Sequence, residues 1–217
     1  MGIALGNGNR LKSVGIFIGT AAIASVLFAL GRMNFILFHT AMELVSISVG
    51  WGVFLIAWSA RRIFDNNFFV LLGTSFLFTG ILDIVHTLSY KGMGVITGYG
   101  DGLATQVWIS ARYLQALAML VAALRVKNRA SILVFFSGYA LFTLVSLAAI
   151  FVWGVFPECY VAGSGLTHFK IISEYLIIIL FVMTGATLYL HRMDFDPAVM
   201  RYLLAFTGMT MASEFFF

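Results

Sequence analysis

Seven ionisable side chains lie inside strongly hydrophobic segments of this chain, and their types suit ion pairing, ligand binding or metal coordination. Charged groups are expensive in a bilayer and are kept there for partners, ligands or proton paths. The sequence therefore predicts a polar pocket within an apolar setting. Its predicted ligand-binding residues are His39, Glu43, Asp83, His86, Arg112 and Glu174. Glu214 is the seventh such residue.

Two pairs of these residues have the spacing of neighbours on a helix. His39 and Glu43 are four positions apart, and Asp83 and His86 are three apart, so each pair shares one helical face. Imidazole and carboxylate together suit zinc or iron. His39, His86 and Glu43 are thus the candidate ligands of a divalent metal. Alternatively, His39 and His86 are the candidate ligands of a haem. A polar ligand pocket and purely structural hydrogen bonds between helices remain alternatives.

Arg112 carries a permanent positive charge inside one of these segments. The sequence predicts that its guanidinium pairs with Glu43, Asp83 or Glu174, or else holds an anionic group of a ligand. Glu174 is accordingly either the partner of Arg112 or a ligand contact.

The segments that position these residues are long and apolar. The chain has 217 residues, of which 61% are hydrophobic and 10% charged, and its mean hydropathy is +1.00. Runs above roughly 18 apolar residues indicate membrane spans, and the absence of strict alternation argues against a barrel. The predicted fold is an all-α, polytopic transmembrane bundle of about seven spans. The expected spans are 13–31, 35–60, 67–89, 104–124, 131–154, 169–190 and 198–217.

Basic residues predict the orientation, because they concentrate on the cytoplasmic side of a membrane protein. Nine of the 13 Lys and Arg residues fall on one side: Arg10, Lys12, Arg61, Arg62, Arg125, Lys127, Arg129, Arg192 and Arg201. This places the N-terminal segment 1–12 in the cytoplasm, ahead of a transmembrane domain at 13–217. The loops 90–103 and 155–168 are then outside, and the seven ionisable residues lie in the outer half of the membrane.

Several functions are disfavoured by the composition. The net charge of +4 comes from residues flanking hydrophobic segments, as membrane anchors do, which argues against nucleic acid as a partner. The single cysteine, Cys159, excludes an internal disulfide and is interpreted as a small loop residue. No phosphate-binding glycine loop, HExxH motif or nucleophile elbow is present, so an enzyme is not expected.

Five segments, taken in order, resemble a known family. They are Phe38-His-Thr-Ala-Met-Glu-Leu, Leu82-Asp-Ile-Val-His-Thr-Leu-Ser-Tyr-Lys-Gly-Met, Gln106-Val-Trp-Ile-Ser-Ala-Arg-Tyr-Leu, Gly165-Leu-Thr-His-Phe-Lys-Ile-Ile-Ser-Glu-Tyr and Ser213-Glu-Phe. Over about residues 35–217 the chain is similar to the third class of membrane-associated sensor (MASE) domains. The resemblance implies a bacterial inner-membrane input domain, N-terminal to a histidine kinase or a cyclic-di-GMP turnover module.

The hypothesis that follows is a sensor that binds an unknown small ligand beneath the two long loops. Ligand binding would shift the packing of the bundle and regulate the protein's own cytoplasmic output domain. The sequence ends at a hydrophobic segment, which suggests a sensor region separated from its output module. Membrane lipids are expected partners, and a homodimer is expected for the full-length protein. The alternatives are a small-molecule transporter and a metal or haem protein.

Overall fold

The computed structural model describes residues 4–63, 67–127 and 131–214, and these residues are mostly helical. They form seven α-helices: α1 Ala4–Met33, α2 Phe35–Ser59, α3 Phe68–Ser89, α4 Leu103–Leu124, α5 Ile132–Phe151, α6 His168–Leu190 and α7 Pro197–Ser213. A short 3₁₀ helix, Arg192–Asp194, precedes α7. The chain divides into two compact units, 1–43 and 44–217, with the boundary inside α2.

The predicted all-α membrane bundle is confirmed. Five of the helices in the described ranges, α2 to α6, are long and apolar enough to cross a membrane. The apolar part of α1 is Phe17–Met33, and α7 has 17 residues. Helix α1 begins at Ala4, inside the predicted N-terminal segment 1–12. The count of seven spans and the cytoplasmic N-terminus stay predictions.

The first unit contains α1 and the beginning of α2, and Asn34 lies between these two helices. The side-chain Oδ1 of Asn34 accepts a hydrogen bond from the backbone N–H of Leu37 at 3.0 Å, which caps the first turn of α2. The rings of Phe35 and His39 stack with centroids 5.9 Å apart. His39 and Glu43 are both half-buried on α2.

The second unit is built on the antiparallel pair α3 and α4. One cluster of buried side chains joins this pair to α6 and α7 through residues such as Leu71, Ile109 and Phe181. Another, including Leu82 and Tyr139, joins the pair to α5. Helices α3 and α4 are therefore the centre of the unit, and the outer helices keep large apolar faces exposed.

Glycines on α3 allow α2 to pack closely. A Cβ at Gly73 would overlap the Cβ of Ala57, and a Cβ at Gly80 would overlap the indole of Trp51. The Trp51 Nε1–H instead donates to the carbonyl of Leu77 at 3.3 Å. Small residues serve membrane helices in this way, because they let two backbones approach.

The two long loops contact each other at the start of α4. The second loop contains an antiparallel pair of short strands, β1 Tyr160–Val161 and β2 Gly165–Leu166. The site of a Cβ at Gly102 is 2.7 Å from the carbonyl oxygen of Tyr160, so only glycine fits without a shift. Gln106 Nε2 donates to the carbonyls of Phe156 and Pro157, each at 3.1 Å.

Cys159 lies in the second long loop, as the sequence predicts, and its side chain is fully buried in the apolar cluster of α3, α4, α6 and α7. The hairpin turns its side chain inward, and the thiol lies 3.6 Å from the carbonyl of Pro157. Burial raises the pKa of the Cys159 thiol to about 12.

The orientation can be tested with thiol labelling of intact cells. Ser164, exposed at the hairpin turn, and Asn128, in the predicted cytoplasmic loop, are each replaced by cysteine. We expect an impermeant maleimide to label the Ser164→Cys protein and to spare Asn128→Cys. Wild-type Cys159 should stay unlabelled until the protein is unfolded, because the thiolate is the reactive form. Labelling at 128 and none at 164 would reverse the predicted topology.

Candidate functional site

The antiparallel packing of α3 and α4 brings a carboxylate and a guanidinium together. Arg112 Nη2 lies 2.7 Å from Asp83 Oδ1, and the two side chains are only 17% and 10% exposed. Arg112 Nη1 donates to Gln115 Oε1 at 2.6 Å. The predicted ion pair of Arg112 is thus confirmed, with Asp83 as partner. The planar fork of arginine suits such a two-sided arrangement.

A cavity of about 570 Å³ adjoins this pair within the second unit. Thr79, Asp83, Arg112 and Gln115 form its polar end. The rest is mainly apolar, and its lining comes from α2, α3 and α7. These lining residues are Ser46, Ile47, Val49, Gly50, Val53, Phe69, Leu72, Phe76, Gly80, Val199, Tyr202, Leu203 and Phe206. The volume lies within the range of small-molecule sites, which combine apolar walls with a few polar groups.

The hydroxyl of Thr79 is a polar group at this cavity that has no hydrogen bond within the described residues. Its Oγ1 is buried without a partner there, and the residue is 4% exposed. Other buried helical threonines such as Thr74 and Thr207 donate to the carbonyl four residues earlier, at 2.7 and 2.8 Å. Thr143 on α5 shares the state of Thr79 within the described residues, but it does not line this cavity. A buried hydroxyl without a bond is costly, so Thr79 has hydrogen-bonding capacity for a ligand.

A second ion pair lies on α6. Lys170 Nζ contacts Glu174 Oε1, one turn apart, and Lys170 is 2% exposed. Its ammonium is also 5.7 Å from the centroid of the Trp108 ring. The ion pair shown for Glu174 is therefore with Lys170. The four-residue spacing of Lys170 and Glu174 inside a hydrophobic segment is the sequence signal of this pair.

His86 is buried at the end of α3 and oriented by the backbone of α4. Its Nδ1 lies 2.8 Å from the carbonyl oxygen of Ala104. Because a carbonyl only accepts, Nδ1 carries the proton, and in the neutral ring Nε2 is the nitrogen with a lone pair. Metal-binding histidines commonly have this arrangement.

The remaining predicted residues are distributed over the chain. His39 and Glu43 belong to the first unit, whereas Asp83, His86, Arg112 and Glu174 belong to the second. The metal set His39, His86 and Glu43 stays a prediction. Glu214 is 3% exposed, and its carboxylate oxygens have no hydrogen-bond partner within the described part of the chain.

The long loops do not border the cavity. Within the described ranges its lining comes from helices α2, α3, α4 and α7. The loops 90–103 and 155–168 do not cover this cavity, and their expected role as a lid over the six predicted ligand-binding residues stays a prediction. The two loops line a second cavity of about 440 Å³, and its lining residues include Tyr99, Asp101 and Glu158.

The fold and the site together define a multi-pass α-helical membrane protein with a charged pair beside a cavity among its helices. The chain belongs to the MASE3 family, a membrane-associated sensor domain, whose model matches residues 30–217. The resemblance seen in the sequence is thereby confirmed, and the chain has a sensory role at a membrane. Searches of curated proteins and of solved structures found no match.

Proposed function

We propose that the chain is a non-catalytic input domain of the bacterial inner membrane whose ligand binds in the cavity beside Asp83 and Arg112. Ligand binding regulates a C-terminal cytoplasmic output module, either a histidine kinase or an enzyme of cyclic-di-GMP turnover. The observation that carries the proposal is the buried 2.7 Å Asp83–Arg112 pair at the polar end of a ligand-sized cavity.

The position of the cavity supports a signalling role. It lies between α2 and α7, and both helices contribute a row of lining residues. Helix α7 also contacts α3 through the rings of Phe76 and Phe206, with centroids 5.9 Å apart. A ligand that fits one packing of α7 better than another shifts the balance between the two. The output module, in a homodimer, would respond to that shift.

The function can be tested in a chimera that joins the chain to a diguanylate cyclase module. Val49 lines the cavity and Val45 does not, yet they lie one turn apart on α2 and are 64% and 58% exposed. Val49→Trp fills the cavity entrance without removing a core contact. We expect it to change cyclic-di-GMP synthesis on the order of tenfold, the equivalent of about 1.4 kcal/mol between two states.

The matched control is Val45→Trp, which should leave synthesis at the wild-type level. Both variants are compared at equal amounts of protein in the membrane fraction. Equal output from wild type and both variants would contradict the proposal that this cavity controls signalling.

Metal sensing is a second candidate, favoured by the orientation of His86 through Ala104. The proposed ligands are His39, His86 and Glu43. Elemental analysis of the purified wild type should then show about one metal ion per chain, and His39→Ala and His86→Ala should each abolish it. A substoichiometric metal content that is unchanged in both variants would exclude the metal.

A further inference from the structure

We infer that the cavity binds a neutral amphiphile with one apolar tail, which enters from the bilayer and places an oxygen-bearing head at Thr79 and Arg112. The inference rests on the proposed function for the choice of site and adds the class of ligand. A membrane quinone and a long-chain alcohol share this chemistry.

The entrance of the cavity is apolar and lies on the outer surface of the bundle. Val49 on α2 is 64% exposed, and Tyr202 and Phe206 on α7 are 77% and 36% exposed. In a multi-pass membrane protein, such a helical surface contacts lipid. A ligand that uses this entrance must dissolve in the bilayer, which excludes sugars, nucleotides and other fully polar molecules.

The cavity is long and follows α3. Its α3 lining runs from Phe69 to Asp83 along one helical face. At 1.5 Å per residue, these fourteen steps span about 21 Å. Helix α7 runs in the same direction beside the first part of this length, because the ring of Phe195 lies 5.1 Å from that of Phe68 before α7 begins and the ring of Phe206 contacts that of Phe76 further on. Such a shape fits an extended tail better than a compact ring system.

The charges at the polar end are already compensated. Asp83 and Arg112 neutralise each other at 2.7 Å, and Gln115 binds the guanidinium as well. An added carboxylate would compete with Asp83, and an added ammonium would compete with Arg112. The Thr79 hydroxyl, in contrast, lies buried beside the pair and can donate a hydrogen bond. The end of the cavity therefore selects an uncharged head that carries an accepting oxygen.

The experiment measures binding of four probes to the purified chain by native mass spectrometry. Decylubiquinone and decanol have neutral oxygen-bearing heads, decanoate at alkaline pH has an anionic head, and dodecane has no head. We expect the two neutral oxygen compounds to bind at least about tenfold more tightly than decanoate or dodecane. Tighter binding of decylubiquinone would indicate a ligand with a carbonyl head, such as a quinone. Tighter binding of decanol would indicate a ligand with a hydroxyl head, such as a long-chain alcohol.

Variants locate the bound probe. Thr79→Val keeps the shape of the side chain and should weaken binding about three- to tenfold, the effect of one hydrogen bond. Val49→Trp should abolish binding, and Val45→Trp should bind like the wild type. Thermal unfolding of each variant confirms that it is folded before binding is compared.

The outcomes separate this inference from the proposed function. Three results would overturn the inference that the cavity binds a neutral amphiphile. These are tighter binding of decanoate, equal binding of dodecane, and equal binding of the neutral probes by Val49→Trp and the wild type. The cavity can still control signalling if Val49→Trp changes the output of the chimera. If the neutral probes bind in a way that depends on Thr79 and Val49, but Val49→Trp leaves the output of the chimera unchanged, the amphiphile inference is supported. The proposed signalling role of the cavity is then contradicted.

Discussion

Replacing Arg112 by alanine is expected to lower the free energy of unfolding by about 3–5 kcal/mol, because Asp83 is then left as a charge with no guanidinium beside it. Both side chains are largely buried in the present structure, so water cannot replace the lost partner at low cost. Thermal unfolding of the protein in detergent micelles, followed by circular dichroism, measures the effect.

Arg192→Ala is the control for this prediction. Arg192 is exposed and donates to the carbonyl of Tyr189 at 3.1 Å, so its loss should change stability by less than about 1 kcal/mol. The double variant Asp83→Leu/Arg112→Leu should recover much of the lost stability, since replacing both charges removes the desolvation cost of both. Equal, small effects of Arg112→Ala and Arg192→Ala would show that the pair does not form.

Replacing Glu174 by glutamine is the second change with a large expected effect. Lys170 is 2% exposed, so the loss of the carboxylate leaves an ammonium buried against Trp108. The expected loss of stability is again about 3–5 kcal/mol. Glutamine keeps the size and shape of the side chain, so a loss of stability of about 3–5 kcal/mol would be due to the lost charge. Thermal unfolding of the purified protein measures it.

Glu158→Gln makes the same chemical change at an exposed loop position and should leave stability within about 0.5 kcal/mol of the wild type. The double variant Lys170→Met/Glu174→Leu should be more stable than Glu174→Gln, because it removes both charges of the α6 pair and leaves neither without the other. If Glu174→Gln and Glu158→Gln unfold at the same temperature, the α6 pair does not stabilise the bundle.

The class of protein, the helices and the family could all be predicted from the sequence. The five predicted spans between residues 35 and 190 begin and end close to the ends of α2 to α6, because an uninterrupted apolar segment of about twenty residues has few structures open to it in a membrane. The ordered motifs around His39, His86 and Arg112 determined the family, which the match over residues 30–217 confirms. Ionisable residues in apolar segments also indicated which side chains to examine.

The pairing of the charges and the position of the cavity, in contrast, depend on how the helices pack. Helices that are apolar on every side carry little information about which face turns to which neighbour. Arg112 had three possible partners in the sequence, and the antiparallel packing of α3 against α4 selected Asp83. The burial of Lys170 and the cavity between α2 and α7 depend on how the helices are rotated against one another. The burial of Cys159 depends on the folded hairpin. These features arise from contacts between distant residues, and no local pattern specifies them.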